Sequence, residues 1–408
     1  MRRATSRIAL ASLAALLALL CTAAAPSDQR LPCVPRELLT KFGDWSAESQ
    51  IIDLSIPVQS VAPATADGRP ADAIRLLIAA PRAGAAPWQL AIRNSEGHLL
   101  ELIDRSAFPD AQTTVWSERL DGPSVTVGLR GGDATTQVEV RGAMAIPKPG
   151  EGERVFSIKG ATPDWQDLYP TNSRMLRDVG ETVGILSAGR LQGMPPQRQS
   201  WCCTGVMIGP NLFMTNWHCG GGDAGKPGFD EEVKSGAIVD LEWEKGAPAR
   251  RQFNVVGREF SSEALDFAIL RVRPIVGPHE NGASAVPVSI AAVDASPDQA
   301  VFMIHHAMCQ PKQISTHCRV VGTAQASWIG RGPTTGPKPE LTHDCDSEPG
   351  ASGAPIFNQD GQLVALHHLG FSNGAQCPSD HLNKAVKVSA IVQAVRSAHP
   401  ELARELGW

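Results

Sequence analysis

Short apolar segments that alternate with polar positions run through most of the chain and predict an all-β protein. Glycine, proline, aspartate and asparagine separate them, as in strands joined by tight turns. Between about residues 45 and 160 the pattern predicts a small β-sandwich, with strands at 51–58, 73–79, 88–92, 99–103, 113–116, 124–129 and 137–140. This region could serve as a removable propeptide, a carbohydrate- or surface-binding module, or a permanent scaffold.

A second series of strands follows a predicted connector at about 161–180. The predicted strands lie at 182–186, 205–208, 212–215, 237–241, 253–256, 267–272, 301–304, 319–321, 354–357 and 363–367. This series suits two packed antiparallel barrels, with a cleft between them. Residues 386–406 predict a C-terminal helix with Val388, Ile391, Val392 and Val395 on one face.

The first 25 residues have the pattern of a secretory signal peptide. Arg2, Arg3 and Arg7 precede a largely apolar stretch at 8–20, and small residues at 22–25 offer a cleavage site. The stretch is too short to favour a spanning helix, although an uncleaved anchor is the alternative. We therefore expect a signal peptide at 1–25, a β-sandwich domain at 26–165 and a second domain at 166–408, secreted or periplasmic.

Composition narrows the range of partners. The chain has 408 residues, 42% apolar and 19% charged, which is ample for two globular domains. Its formal net charge of −5 gives no basic field, so nucleic acid is not an expected partner. After signal removal no membrane partner is expected, and the oligomeric state is not set by the sequence.

Candidate chemistry centres on Ser352, in the stretch Gly350-Ala-Ser-Gly-Ala-Pro355. Glycines permit a tight loop, in which the amides of Gly350 and Ser352 can point to one spot and bind a developing oxyanion. His218 follows the apolar strand 212–215. Asp266 enters another apolar strand, where a buried carboxylate needs a partner such as the Nδ1 proton of His218.

These three motifs resemble the trypsin-like serine endopeptidases of the chymotrypsin fold. His218, Asp266 and Ser352 stand in that family's order, spaced by 48 and 86 residues, and Cys203 and Cys219 have the family's 16-residue offset. The resemblance implies a double β-barrel, a catalytic triad of these three residues, peptide or protein substrates and no cofactor. A histidine base also predicts loss of activity below roughly neutral pH.

The wording Ser-Glu-Pro-Gly-Ala-Ser-Gly-Ala-Pro around Ser352 is most similar to the bacterial glutamyl and lysyl endopeptidases. Asp346 and Asp380 match positions that bind a basic P1 side chain. His367 matches the histidine that binds an acidic P1, whereas His368 aligns better with the lysyl branch. We expect a basic P1. A catalytically inactive binding protein and an esterase with the same triad are the alternative functions.

Nine cysteines are present, of which Cys21 would leave with the signal peptide. An even set of eight in an exported chain predicts disulfides. Cys203–Cys219 is the pairing we favour, and it would close a loop of about 15 residues, worth roughly 3 kcal/mol. Cys318–Cys345 is also expected, and elimination then leaves Cys309–Cys377 and Cys33–Cys202. No metal site is expected, because the chain lacks a Cys-x-x-Cys pair and histidines at metal-ligand spacing.

Overall fold

The computed structural model describes residues 52–53, 59–63, 71–111, 113–147, 163–192, 197–221, 228–244, 251–274, 286–324, 338–370 and 382–408. The predicted signal peptide, Cys33, Cys377 and Asp380 lie outside these ranges. Among the described helices, none is long and apolar enough to cross a membrane.

The first part of the chain folds into the expected β-sandwich. Its strands are β1 Ile52–Asp53, β2 Gln59–Val61, β3 Ala71–Arg82, β4 Trp88–Asn94, β5 Leu99–Asp104, β6 Thr114–Trp116, β7 Leu120–Asp121, β8 Val125–Gly131 and β9 Gln137–Pro147. One sheet has the order β1-β9-β3-β6, with β7 also paired to β3, and the other has the order β2-β8-β4-β5. Alternate residues of β3 and β4, including Ile74, Leu76, Leu90 and Ile92, are buried in the core between them.

Two barrels make up the rest of the chain. The first is a closed barrel in the order β11-β12-β13-β16-β15-β14. Its elements, with those that precede it, are β10 Trp165–Asp167, α1 Arg174–Gly180, β11 Val183–Gln192, β12 Gln197–Gly209, β13 Leu212–Thr215, α2 Glu231–Gly236, β14 Ile238–Asp240, β15 Gln252–Ser262 and β16 Phe267–Pro274.

The second barrel has the order β18-β17-β20-β21-β22-β19 and closes through the β18–β19 pairing, with β10 added beside β18. Its elements are β17 Ala300–His305, β18 Gln313–Ala324, β19 Glu340–His343, β20 Pro355–Asn358, β21 Leu363–Leu369, β22 Asn383–Lys387, α3 Val388–Ala398 and α4 Pro400–Glu405. The chain therefore has the predicted fold class, a chymotrypsin-like double β-barrel with a helical C-terminus after a β-sandwich.

Strand alternation explains how the barrels pack. In β13, Phe213 belongs to the interior of the first barrel, whereas Leu212 and Met214 point outward from it. These two side chains join the same apolar cluster as Phe302 and Phe357 of the second barrel. Because successive strand residues face opposite sides, one apolar strand supplies both the barrel interior and the contact between barrels.

Two expectations about local structure need correction, the connector and the bounds of the C-terminal helix. The predicted connector contains β10, which pairs with β18, and helix α1. The predicted helix at 386–406 starts only at Val388, because the preceding residues form β22, and it is interrupted at His399 before Pro400 starts α4. Proline lacks the amide hydrogen that a continuous helix requires there.

The sandwich and the first barrel share a buried polar contact within an apolar interface. Arg75 of β3 is 1% exposed and forms an ion pair with Asp240 of β14. The guanidinium carbons of Arg75 and Arg119 lie 5.3 and 4.8 Å from the ring centroid of Trp243. Ile238 and Trp243 belong to the same apolar cluster as the sandwich core. The two regions are thus continuous in packing.

Replacing Arg75 by alanine is expected to lower the free energy of unfolding by about 3–5 kcal/mol, since Asp240 would remain as a buried carboxylate without its cation. Chemical denaturation measures the change. Arg119→Ala is the matched control, because Arg119 contacts the same ring but is about one-third exposed, and its loss should stay below about 1 kcal/mol. A loss below 1 kcal/mol for Arg75→Ala would contradict the prediction.

Disulfides agree with two of the predicted pairings and overturn the two that came from elimination. Cys203–Cys219 and Cys318–Cys345 are bonded. Cys202, however, is bonded to Cys309, with 5.8 Å between the Cα atoms, so Cys33–Cys202 and Cys309–Cys377 were wrong. Pairing the remaining cysteines by elimination takes no account of the distances between them. In the structure the turn after β17, which contains Cys309, packs against Cys202 of β12. The bond closes 107 residues, for which loop entropy gives about 5 kcal/mol.

Candidate active site

His218 lies in a single 3₁₀ turn, His218–Gly220, just after β13. Its backbone N–H donates to Asp266 Oδ1 at 3.0 Å, and its ring Nδ1 lies 2.8 Å from Asp266 Oδ2. Both oxygens of one carboxylate therefore hold the same residue. This two-point contact fixes the orientation of the imidazole and favours the tautomer with the proton on Nδ1.

Asp266 ends the turn that leads into β16, and its side chain is fully buried. Its φ of 48° places it in the left-handed region, which non-glycine residues rarely adopt. Asn216 Nδ2 donates to the Asp266 carbonyl at 2.9 Å and supports this backbone. Burial alone would raise the pKa of the Asp266 carboxyl, but His218 and then His368 beside it hold that pKa below its usual value.

The loop that carries Ser352 is held by Thr204 of β12. The Thr204 N–H donates to the Ser352 carbonyl at 2.7 Å, and its hydroxyl donates to the Gly350 carbonyl at 2.8 Å. At Gly353, with φ of 83°, a Cβ atom would lie 2.1 Å from the Thr204 carbonyl oxygen, so only glycine allows this approach. Contacts with the first barrel thus set the position of a loop that belongs to the second.

The Cys203–Cys219 bridge links this loop to His218. The carbonyl oxygen of Ser352 lies 3.9 Å from Cys219 Sγ. A ring nitrogen of His218 and the two sulfurs of the bridge all lie within 4.8 Å of one another. Ser352 and His218 therefore lie near the same disulfide, and Asp266 binds the backbone N–H and the ring of His218. Ser352 is 5% exposed, and its loop meets the first barrel through Thr204 and near Cys219.

Two of the residues predicted to bind substrate, His368 and Asp346, are buried and form hydrogen bonds within the protein. His368 is buried behind Asp266, and its Nδ1 lies 3.3 Å from Asp266 Oδ2. Asp346 is buried, and its carboxylate accepts a hydrogen bond from the Asp164 N–H at 3.0 Å. The connector after the sandwich therefore contacts the residue expected to select a basic P1.

His367, the residue considered for an acidic P1, is also buried. Its Nδ1 lies 3.1 Å from Nε2 of His343. Asp380 lies outside the described residues. The preference for a basic P1 stays a prediction.

Several residues that shape the site carried no signal that sequence analysis detected. Thr204 and Asn216 stand beside apolar strands and match no catalytic motif, yet they position the Ser352 loop and the Asp266 backbone. Glu340, whose Oε1 lies 3.3 Å from His368 Nε2, belongs to a strand that was not predicted. Of these residues, only Thr204 had a sequence signal that could have identified it, namely its position next to Cys203.

A comparison with family models identifies part of the double barrel. Residues 203–366 match the family model of the trypsin-like peptidase domain. The matched residues include His218, Asp266 and Ser352 and end just before His367 and His368. This match supports a serine protease.

No curated protein matches the chain. Among solved structures, the chain is similar to the active form of the Rv3671c protease from M. tuberculosis, at 17% identity and TM-score 0.37, over 62% of this chain and 95% of that one. It is also similar to Deg5, at 14% identity and TM-score 0.39, over 55% and 93% of the two chains. A serine endoprotease from Yersinia pestis matches at 14% identity and TM-score 0.36, over 57% and 68%. The narrower likeness to glutamyl and lysyl endopeptidases stays a prediction.

Proposed function

We propose that the chain is a secreted serine endopeptidase that uses Ser352, His218 and Asp266 as a catalytic triad. Ser352 Oγ attacks the scissile carbonyl, and His218 Nε2 accepts its proton and later delivers it to the leaving amine. Asp266 fixes the imidazole tautomer and stabilises the imidazolium that forms. The amides of Gly350 and Ser352 bind the oxyanion of the tetrahedral intermediate.

The observation that carries the proposal is the two-point contact of Asp266 with His218. An Nδ1–H that donates to Oδ2 at 2.8 Å leaves Nε2 as the proton acceptor of the ring. The same contact places a buried negative charge where an imidazolium would develop. A histidine that only filled space would not require a fully buried carboxylate held in the left-handed region.

The Ser352 loop supports the roles assigned to Gly350 and Ser352. Gly350 has φ of 98°, and a Cβ atom there would lie 2.6 Å from the His306 carbonyl oxygen, so a larger residue would displace the loop. The backbone N–H and the hydroxyl of Thr204 donate hydrogen bonds to the carbonyls of Ser352 and Gly350, respectively. A loop fixed before substrate arrives does not need to reorganise when charge develops.

Export is part of the proposal. It rests on the pattern of residues 1–25 and on three disulfides among the described residues, which are typical of oxidising compartments. A culture-fractionation experiment with the full chain, followed by N-terminal sequencing of the mature protein, would test it directly.

A fluorophosphonate probe tests the assignment of the nucleophile. The probe should attach covalently to Ser352, as shown by intact mass and peptide mapping, and Ser352→Ala should abolish the labelling. Comparison of peptide and ester substrates then separates the candidate activities. Labelling with ester turnover alone would indicate an esterase, and the absence of labelling in folded protein would indicate an inactive binding protein.

A further inference from the structure

A buried chain of ionisable groups continues behind Asp266, away from His218. His368 of β21 places Nδ1 at 3.3 Å from Asp266 Oδ2 and Nε2 at 3.3 Å from Glu340 Oε1 of β19. The side chains of Asp266 and His368 are 0% exposed and that of Glu340 is 1% exposed. One imidazole therefore separates two carboxylates from each other, out of contact with solvent.

Two buried carboxylates, one within 3.3 Å of each ring nitrogen, favour a protonated ring. A neutral imidazole has one N–H and no net charge, whereas an imidazolium has an N–H on each nitrogen and a positive charge that attracts both carboxylates. Burial alone would lower the pKa of His368, but Asp266 and Glu340 outweigh it and raise that pKa to about 9. The three buried groups then sum to one negative charge, the charge that Asp266 would have by itself.

The other charged side chains on the described elements packed against β21 are at least partly exposed, including Arg396 of α3. The titratable neighbours His343 and His367 contact each other, with Nε2 of His343 3.1 Å from Nδ1 of His367. Strand β20 has the sequence Pro-Ile-Phe-Asn and contributes no charge. Strand β22 contributes Lys384 and Lys387, both partly exposed, and Lys387 pairs with Asp294 at 3.4 Å. Asp266 and Glu340 are thus the charges that face the His368 ring.

We propose that His368 and Glu340 are positioning residues for the reaction, a buried imidazolium–carboxylate pair that holds the Asp266 carboxylate in place without weakening its support of His218. This inference rests on the proposed function. A lone imidazolium beside Asp266 would offset the negative charge that His218 needs when it accepts the serine proton. Glu340 cancels that positive charge, while His368 keeps Oδ2 hydrogen-bonded from the side away from His218.

The test is the pH dependence of kcat/KM in two variants. Glu340→Gln leaves the His368 cation uncompensated. The acidic limb of the kcat/KM profile of this variant should therefore move to lower pH by about one unit, and kcat should fall about tenfold. Combining Glu340→Gln with His368→Gln restores the single charge of Asp266, so the limb should return to the wild-type position. Glu401→Gln, which removes an exposed glutamate on α4, is the control for net charge and should leave the profile unchanged.

A second measurement needs no turnover. In Ser352→Ala protein, ¹⁵N NMR of histidine, assigned by the loss of one signal in His368→Gln, should show an imidazolium at pH 8 that titrates near pH 9. Adding Glu340→Gln should lower that midpoint. A neutral His368 at pH 8, or an unmoved limb in folded Glu340→Gln enzyme, would overturn the inference. Protein without peptidase activity would instead refute the proposed function, and the NMR result would still decide the state of the pair.

Discussion

Replacing Ser352 by alanine is expected to lower kcat/KM for a peptide substrate by a factor on the order of 10⁶. The loss is large because a methyl group cannot attack a carbonyl, which leaves the binding groove and the oxyanion donors as the remaining catalysts. The fold should be unaffected, since the contacts that hold this loop use the carbonyls of Gly350 and Ser352. Steady-state kinetics with a chromogenic peptide gives the measurement.

The matched control is Ser397→Ala, which removes an exposed hydroxyl from helix α3. Its kcat/KM should equal that of the wild type. Thermal unfolding of both variants would verify that they are folded. If folded Ser352→Ala protein retained activity within tenfold of wild type, another residue would have to be the nucleophile.

Changing Asp266 to asparagine is expected to lower kcat by about 10⁴. The structure explains which way the amide would turn. The His218 backbone N–H can only donate, whereas the His218 and His368 rings at Oδ2 can move or lose a proton, so an asparagine keeps its carbonyl oxygen at Oδ1 and presents its NH₂ group at the Oδ2 position. That group would donate to Nδ1 of His218 and force the ring proton onto Nε2, where it cannot accept the serine proton.

The downfield proton NMR spectrum provides a readout of this tautomer. Wild-type protein should show a signal from Nδ1–H of His218 that is absent from Asp266→Asn. Asp360→Asn, at an exposed turn position, is the control and should change neither spectrum nor rate. A kcat within tenfold of wild type for Asp266→Asn would show that the carboxylate does not set the tautomer.

Strands whose own sequence has a clear apolar pattern could be predicted, whereas strands that depend on pairing with distant segments could not. The strand at 212–215 was predicted with its observed bounds, because all four side chains are buried between a glycine-proline turn and His218. Strands β19 and β22 were missed. Their sequences Glu-Leu-Thr-His and Asn-Lys-Ala-Val-Lys contain few apolar residues, and their pairing with each other and with the neighbouring strands sustains them.

The candidate site shows the same division. His218, Asp266 and Ser352 were recognised because each stands in a short motif beside an apolar strand. The contact of His368 with Asp266 spans 102 residues and depends on how the two barrels dock. Nothing in the sequence near His368 distinguishes a residue that faces a substrate from one that faces the buried side of a carboxylate, so its placement had to come from the structure.

Consecutive residues of β12 have a consequence for where the chain can work. Cys202 and Cys203 face opposite sides of the strand, and their bridges reach both flanks of the Ser352 loop: Cys219 Sγ lies 3.9 Å from the Ser352 carbonyl, and a Cβ on Gly350 would lie 3.2 Å from Cys202 Sγ. Reduction by the glutathione of the cytosol would break both disulfides, Cys202–Cys309 and Cys203–Cys219, and remove their support of the Ser352 loop. If the chain is exported as proposed, copies retained in the cytosol would have a less rigid Ser352 loop than exported copies, and the proposed activity would depend on export.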